Sequence, residues 1–81
     1  MVRAFIMVEA GTGQAEALLE RIGKLEHVAD ANIVAGDIDI IVEAEAGEVY
    51  DVINSVATEI RSFDDVNDTK TYVCLGSATN G

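Results

Sequence analysis

The strongest constraint on the fold is an internal repeat. A shift of 38 residues brings apolar positions into coincidence along the chain: Val2, Ala4 and Ile6 fall on Ile40, Val42 and Ala44. By the same shift Ala15, Leu18, Leu19 and Ile22 fall on Ile53, Val56, Ala57 and Ile60, and Leu25, Val28 and Asp30 on Phe63, Val66 and Asp68. With 81 residues, 49% of them hydrophobic, the chain has apolar material for one small domain and none for a second. The two copies therefore belong to one domain, expected over residues 1–76 with a short tail at 77–81.

Within each copy the hydrophobic period changes once. Val2 to Glu9 and Ile38 to Ala44 are short, rich in β-branched residues and without turn formers, which suits strands. Ala15, Leu18, Leu19 and Ile22 recur at helical spacing, as do Val49, Val52, Ile53, Val56, Ala57 and Ile60. Gly11-Thr12-Gly13 and Glu45-Ala46-Gly47-Glu48 precede these helices and offer a capping hydroxyl or an early acid. Stretches of about 29–35 and 67–75 read as strands again. Gly36-Asp37 between the copies is a hairpin signal, because glycine tolerates positive φ and aspartate favours turns. A doubled β-α-β unit joined by a hairpin implies an α+β, ferredoxin-like βαββαβ fold, a four-stranded antiparallel sheet with two helices on one face.

Helices cover only one side of such a sheet. Phe5, Met7, Ile41 and Tyr72 fall on the other, where an exposed antiparallel face would alternate to polar residues. They are the expected dimer interface, packed sheet to sheet as in a dimeric α+β barrel. Oligomerisation also suits a domain that hides only about 60% of its unfolded surface.

Fifteen acidic residues against five basic ones give a net charge of −10, which disfavours direct contact with nucleic acid. Screening over about 3 Å at 1 M salt makes such self-repulsion tolerable, so the acidic excess fits a protein adapted to high salt, with an ordinary acidic cytoplasmic protein as the alternative. Cys74 is the single cysteine, which excludes an internal disulfide and a cysteine zinc site and points to a reducing, cytoplasmic setting. No uncharged stretch approaches the roughly 20 residues that span a bilayer, and no membrane association is expected.

The run Val28 to Val42, with Gly36 and Asp39 as a Gly-x-x-Asp signature, and the joints Leu25-Glu26-His27-Val28 and Phe63-Asp64-Asp65-Val66 resemble the effector-binding (RAM) domain of the Lrp/AsnC regulators. The resemblance covers about residues 3–75. It implies an assembly of dimers into a ring that binds an amino-acid effector between subunits, with Gly36, Asp37, Asp39, Thr69 and Thr71 as candidate effector-binding residues. Family regulators carry an N-terminal helix-turn-helix, whereas this chain begins with the first strand; a stand-alone form is expected, acting through partners such as full-length Lrp/AsnC-type regulators. Ile38 stands where the family often has an aromatic residue between the glycine and the aspartate.

Blander readings accompany each motif. Gly36-Asp37 is also an ordinary turn, and Asp39, Thr69 and Thr71 are also plain strand residues. His27, the single histidine, lacks a nucleophile at a recognisable spacing and reads as a surface residue. Cys74 reads as a small packed hydrophobe. Asp64, Asp65 and Asp68 with Glu59 read as a solvated acidic joint, their spacing fitting no calcium loop. No cofactor, metal site or catalytic residue is expected. A small oxygenase- or isomerase-type barrel enzyme, which would need a polar cavity within the subunit, and a purely structural oligomer are the competing functions.

Overall fold

The computed structural model describes residues 1–78. Strand β1 (Val2–Ala10) leads into helix α1 (Ala15–Gly23) and strand β2 (Val28–Ile33); strand β3 (Ile40–Ala46) leads into helix α2 (residues 51–61) and strand β4 (Val66–Val73). The strands form one antiparallel sheet in the order β2-β3-β1-β4, the split arrangement expected from the repeat. Ser77 and Ala78 of the expected tail are described, and 79–81 lie outside the described residues.

Strand alternation decides the layers. Ala4, Ile6 and Val8 on β1 and Ile40, Val42 and Ala44 on β3 are fully buried beneath Leu18, Ile22, Val52, Val56 and Ile60 of the helices. The core is aliphatic throughout, with Phe63 only packing against its margin. Burying such side chains supplies the main driving force, at about 25 cal/mol per Å² of apolar surface.

Several local expectations are corrected. Helix α1 has Gln14 at its N-cap and no side-chain cap. The hydroxyl of Thr12 does not serve as one; Gly13, at φ +77°, instead supplies the turn that starts the helix. Helix α2 is not uniformly α-helical: Asp51–Ala57 is a π-helical stretch and Thr58–Arg61 an α-helical turn. Its apolar stripe still faces the core at Val52, Val56 and Ile60, which is why helical spacing located it. The hairpin is wider than a two-residue turn. The Val34 N–H donates to the Asp39 carbonyl at 2.8 Å, so 35–38 form the loop tip, with Gly36 at φ +155°, and β3 starts at Ile40 rather than Ile38.

The repeat is real, but its strand alignment shifts. Val8 pairs with Thr69 as Val42 pairs with Ala31, and Glu9 pairs with Asp68 as Glu43 pairs with Asp30. Strands β1 and β3 thus correspond at a shift of 34 residues, while β2 and β4 keep 38. The ladder irregularities correspond as well: Asn67 on β4 and Ala29 on β2 are both passed over. The pseudo-twofold axis runs through the Met7–Ile41 pair at the centre of the open face. A shift by four leaves every strand residue on its own face, so apolar alternation alone does not distinguish 34 from 38.

Candidate functional site

Two features meet on the open side of the sheet: a central apolar strip and a cavity at the hairpin end. Phe5 pairs with Tyr72 and Met7 with Ile41, so the four residues read as a dimer interface occupy adjacent rows of one face. Phe5, Met7 and Ile41 are half-buried within the subunit, and Tyr72 is 54% exposed. Charged side chains frame the strip. Arg3 lies 4.0 Å from Glu43 and 5.7 Å from the Phe5 ring centre, and Lys70 and Asp68 pair with Met7 and Glu9 at its other end.

The cavity, about 150 Å³, opens where the β2–β3 loop passes β1 and β4. Asp37 and Ile38 of the loop, Met7 and Glu9 of β1, and Asp68, Thr69 and Lys70 of β4 line it. Two of the five expected effector residues, Asp37 and Thr69, line it, Thr69 from a strand position that alternates onto the opposite face. The other three do not. Gly36 sits exposed at the loop tip, where its φ suits glycine.

Asp39 is occupied structurally. Its N–H donates to the Val8 carbonyl at 2.9 Å, and its carboxylate Oδ2 accepts the Ala10 N–H at 2.8 Å. The side chain thereby supplies the acceptor that β1 needs where β3 leaves the ladder, and it ties the hairpin to the end of β1. Thr71 pairs with Ile6, beside Val73, which pairs with Ala4. Thr69, Thr71 and Val73 therefore alternate onto the helix-covered side of the edge strand, where Val73 packs against the margin of the core, while Thr71 is exposed and away from the cavity. Glu9, Asp68 and Lys70 are the cavity residues that sequence reasoning missed. Their signal lay in the β1–β4 register, which no local pattern states.

The remaining chemistry-bearing residues lie elsewhere. His27 takes φ +73° in the α1–β2 joint, a conformation in which histidine is enriched among non-glycine residues. It lines a polar surface groove of about 380 Å³ with Glu26, Asn54, Ser55 and Glu59, and its Nε2 is 3.9 Å from Glu26. The groove lies outside the sheet–helix core. Asp65 is not simply solvated: it pairs with Arg21, whose guanidinium also lies 5.1 Å from the Phe63 ring centre. Among the described residues no group of three or more His, Cys, Asp or Glu side chains is arranged to hold a metal ion. Cys74 follows β4, its N–H donating to the Arg3 carbonyl at 2.8 Å. Its thiol is held below the usual range by the Ser77 hydroxyl, then by the Gly76 backbone and Arg3.

A family model for the Lrp/AsnC ligand binding domain matches residues 3–80. The chain belongs to this family. The solved structure of TTHA0845 from Thermus thermophilus superposes with a TM-score of 0.91 at 25% identity, covering 99% of this chain and 100% of that one. AsnC of E. coli superposes at 0.79 with 19% identity over 99% of this chain and 54% of its own length. The transcriptional regulator NMB0573 of Neisseria meningitidis, solved as a complex with L-Met, superposes at 0.81 with 18% identity, covering 98% and 53%. These last two likenesses establish the fold, and this chain spans about half the length of each. No curated protein sequence matches it. As an Lrp/AsnC ligand-binding domain, the chain is an effector-binding regulatory module. Among the described residues no helix is long and apolar enough to cross a membrane.

Proposed function

We propose that this Lrp/AsnC domain is a non-catalytic module that dimerises open face to open face, assembles further into a ring, and binds an amino acid at the hairpin cavity. The observation that carries this reading is the position of the cavity at the margin of the apolar strip: Met7 belongs to both. A second copy on the strip would roof the cavity, so occupancy and subunit packing would be coupled. The L-Met complex of NMB0573 supports an amino acid as the ligand class. The net charge of −10 supports DNA contact through a partner, such as a full-length regulator in the same assembly, rather than by this chain. The same charge supports work in a salt-rich cytoplasm.

Thermal unfolding in the presence of each of the twenty amino acids tests the ligand class. A ligand that binds only the native state, present at 100 times its dissociation constant, stabilises by about 2.7 kcal/mol. A rise in Tm with one or a few amino acids is expected. No rise with any of them favours a purely structural oligomer.

The groove that holds His27 is where a second reading, a small enzyme, would have to place its chemistry. Glu26 and Glu59 are exposed there, and the space between sheet and helices that a barrel enzyme uses is filled by aliphatic side chains. His27→Ala leaving effector binding and assembly unchanged is the result expected if the groove has no part in the main function.

A further inference from the structure

We propose that face-to-face dimers join to one another through strand β4, each β4 pairing antiparallel with the β4 of a second copy in the neighbouring dimer. The inference rests on the open-face dimer proposed above and names the surface of its further assembly. Strands β2 and β4 end the sheet. The Cys74 N–H donates inward to the Arg3 carbonyl, and backbone groups alternate in direction along an antiparallel strand, so Thr69, Thr71 and Val73 turn theirs to the free edge. That edge runs over eight residues, against six in β2.

The helix on the same side of the sheet leaves apolar surface beside it. Asn54, Ser55 and Glu59 of α2 border the α1–β2 joint, which puts Val49 and Ile53, four residues apart, on the flank turned away from α1. Both are exposed, as is Tyr50. Helix α1, which packs over β2, exposes no large apolar side chain. A twofold axis through paired β4 edges would bring the two α2 flanks toward each other and cover them, which pairing through β2 would not do.

The side chains of β4 commit it to a copy of itself. An antiparallel pair centred on Thr69 sets Lys70 of each copy opposite Asp68 of the other, twice about the twofold, at the non-hydrogen-bonded positions where side chains lie closest. A register centred on Lys70 would oppose like charges, and one centred on Thr71 would set Lys70 against Tyr72. A uniformly acidic or basic strand would repel one of the two side chains. Within the single subunit Asp68 Oδ1 accepts the Thr69 N–H at 2.9 Å. In the pair the Thr69 carbonyl of the second copy takes that N–H, and the carboxylate is released to Lys70 across the edge. Each face-to-face dimer carries two such edges, so two isologous contacts alternate around a ring. One strand pair is a small contact, and it holds at micromolar concentration only within a ring that grips each dimer twice.

Sedimentation velocity at about 0.15 M KCl, where close charge pairs are still felt, tests the edge. The wild-type protein is expected to form an assembly larger than a dimer. Asp68→Lys opposes lysine to lysine and Lys70→Asp opposes aspartate to aspartate, so each variant alone is expected to fall to the face-to-face dimer. An equimolar mixture of the two opposes acids to bases at both positions and is expected to restore the wild-type assembly, a recovery that misfolding cannot produce. Thr71→Pro removes no hydrogen bond within the subunit, because that N–H faces outward, and is expected to give dimers too. Variants that keep the wild-type assembly, or a mixture that stays dimeric, overturn the proposal. A wild-type dimer that Met7→Asp dissociates overturns the edge contact and leaves the open face standing; a wild-type monomer overturns both.

Discussion

Asp39, expected from the sequence as an effector-binding residue, also fastens the scaffold. A carboxylate in a turn-proximal Gly-x-x-Asp run is well suited to an ammonium, yet here it accepts the Ala10 N–H and holds the loop that carries Asp37 over the cavity. Asp39→Ala is expected to lower stability by about 1–2 kcal/mol, because it leaves a part-buried backbone donor without an acceptor. For a domain of this size that is a fall in Tm of about 4–8 °C per kcal/mol. Asp39→Asn keeps a carbonyl acceptor and is expected to recover most of the loss, which urea unfolding of the two variants measures. Cys74 carries a second prediction. With its thiol held below the usual range by Ser77, Gly76 and Arg3, the reactive thiolate is populated at lower pH than in an unstructured peptide. Iodoacetamide modification followed against pH should therefore reach half its maximal rate at a lower pH in the folded protein, and Ser77→Ala should move that midpoint upward, since Ser77 is the largest cause. The Asp39 contact was not legible in the residue pattern, because it joins positions that only folding brings together; the Cys74 contacts with Gly76 and Ser77 are local, but no turn motif in the sequence marks them.

Among the elements, the strands were readable and helix α2 only partly so. Alternation in Val2–Ala10 and Ile40–Ala46 assigns each side chain to a face, because the pleat has a period of two. The α2 stripe marked Val52, Val56 and Ile60 as core without revealing the π-helical stretch, since a slight unwinding keeps residues four apart on nearly the same side. Val52, Ile53, Val56 and Thr58 are β-branched and crowd a regular α-helix. The open face is where element geometry becomes testable. Met7 and Ile41 lie on the pseudo-twofold axis at the middle of the apolar strip, so a carboxylate at either position would sit at the centre of a sheet-to-sheet contact. Met7→Asp and Ile41→Asp are each expected to give monomers in sedimentation velocity at micromolar concentration while the far-ultraviolet dichroism stays native. A wild-type protein that sediments as a stable monomer would sink the proposed interface.

At the level of the whole molecule, net charge dominates. Arg3 and Arg21 are committed to ion pairs with Glu43 and Asp65, pairs whose exposure makes each worth about 1 kcal/mol or less, and the fifteen acids outnumber the five basic residues. Raising KCl from about 0.1 M to 3 M contracts the screening length from about 10 Å to below about 3 Å. With acids outnumbering basic residues three to one, this screening removes more repulsion than attraction, so Tm is expected to climb across that range; a flat or falling curve in a scanning calorimeter would count against adaptation to salt. Composition alone made this charge balance visible, just as the repeated pattern alone determined the order of elements, the face of each strand residue and the aliphatic core. Those properties follow from periods of two and of about 3.6 residues within single segments, and local chemistry suffices to set them. The register between segments is another matter. A slide of four residues preserves every inward and outward assignment, and the connection lengths and helix packing decided that β1 and β3 correspond at 34 residues and not 38. That choice set Glu9 beside Asp68 and Met7 beside Lys70 under the loop that carries Asp37, turned Thr71 away, and engaged Asp39 in the scaffold. The cavity is therefore a product of tertiary structure, because its walls come from strands and a loop whose mutual positions no single stretch of the chain specifies.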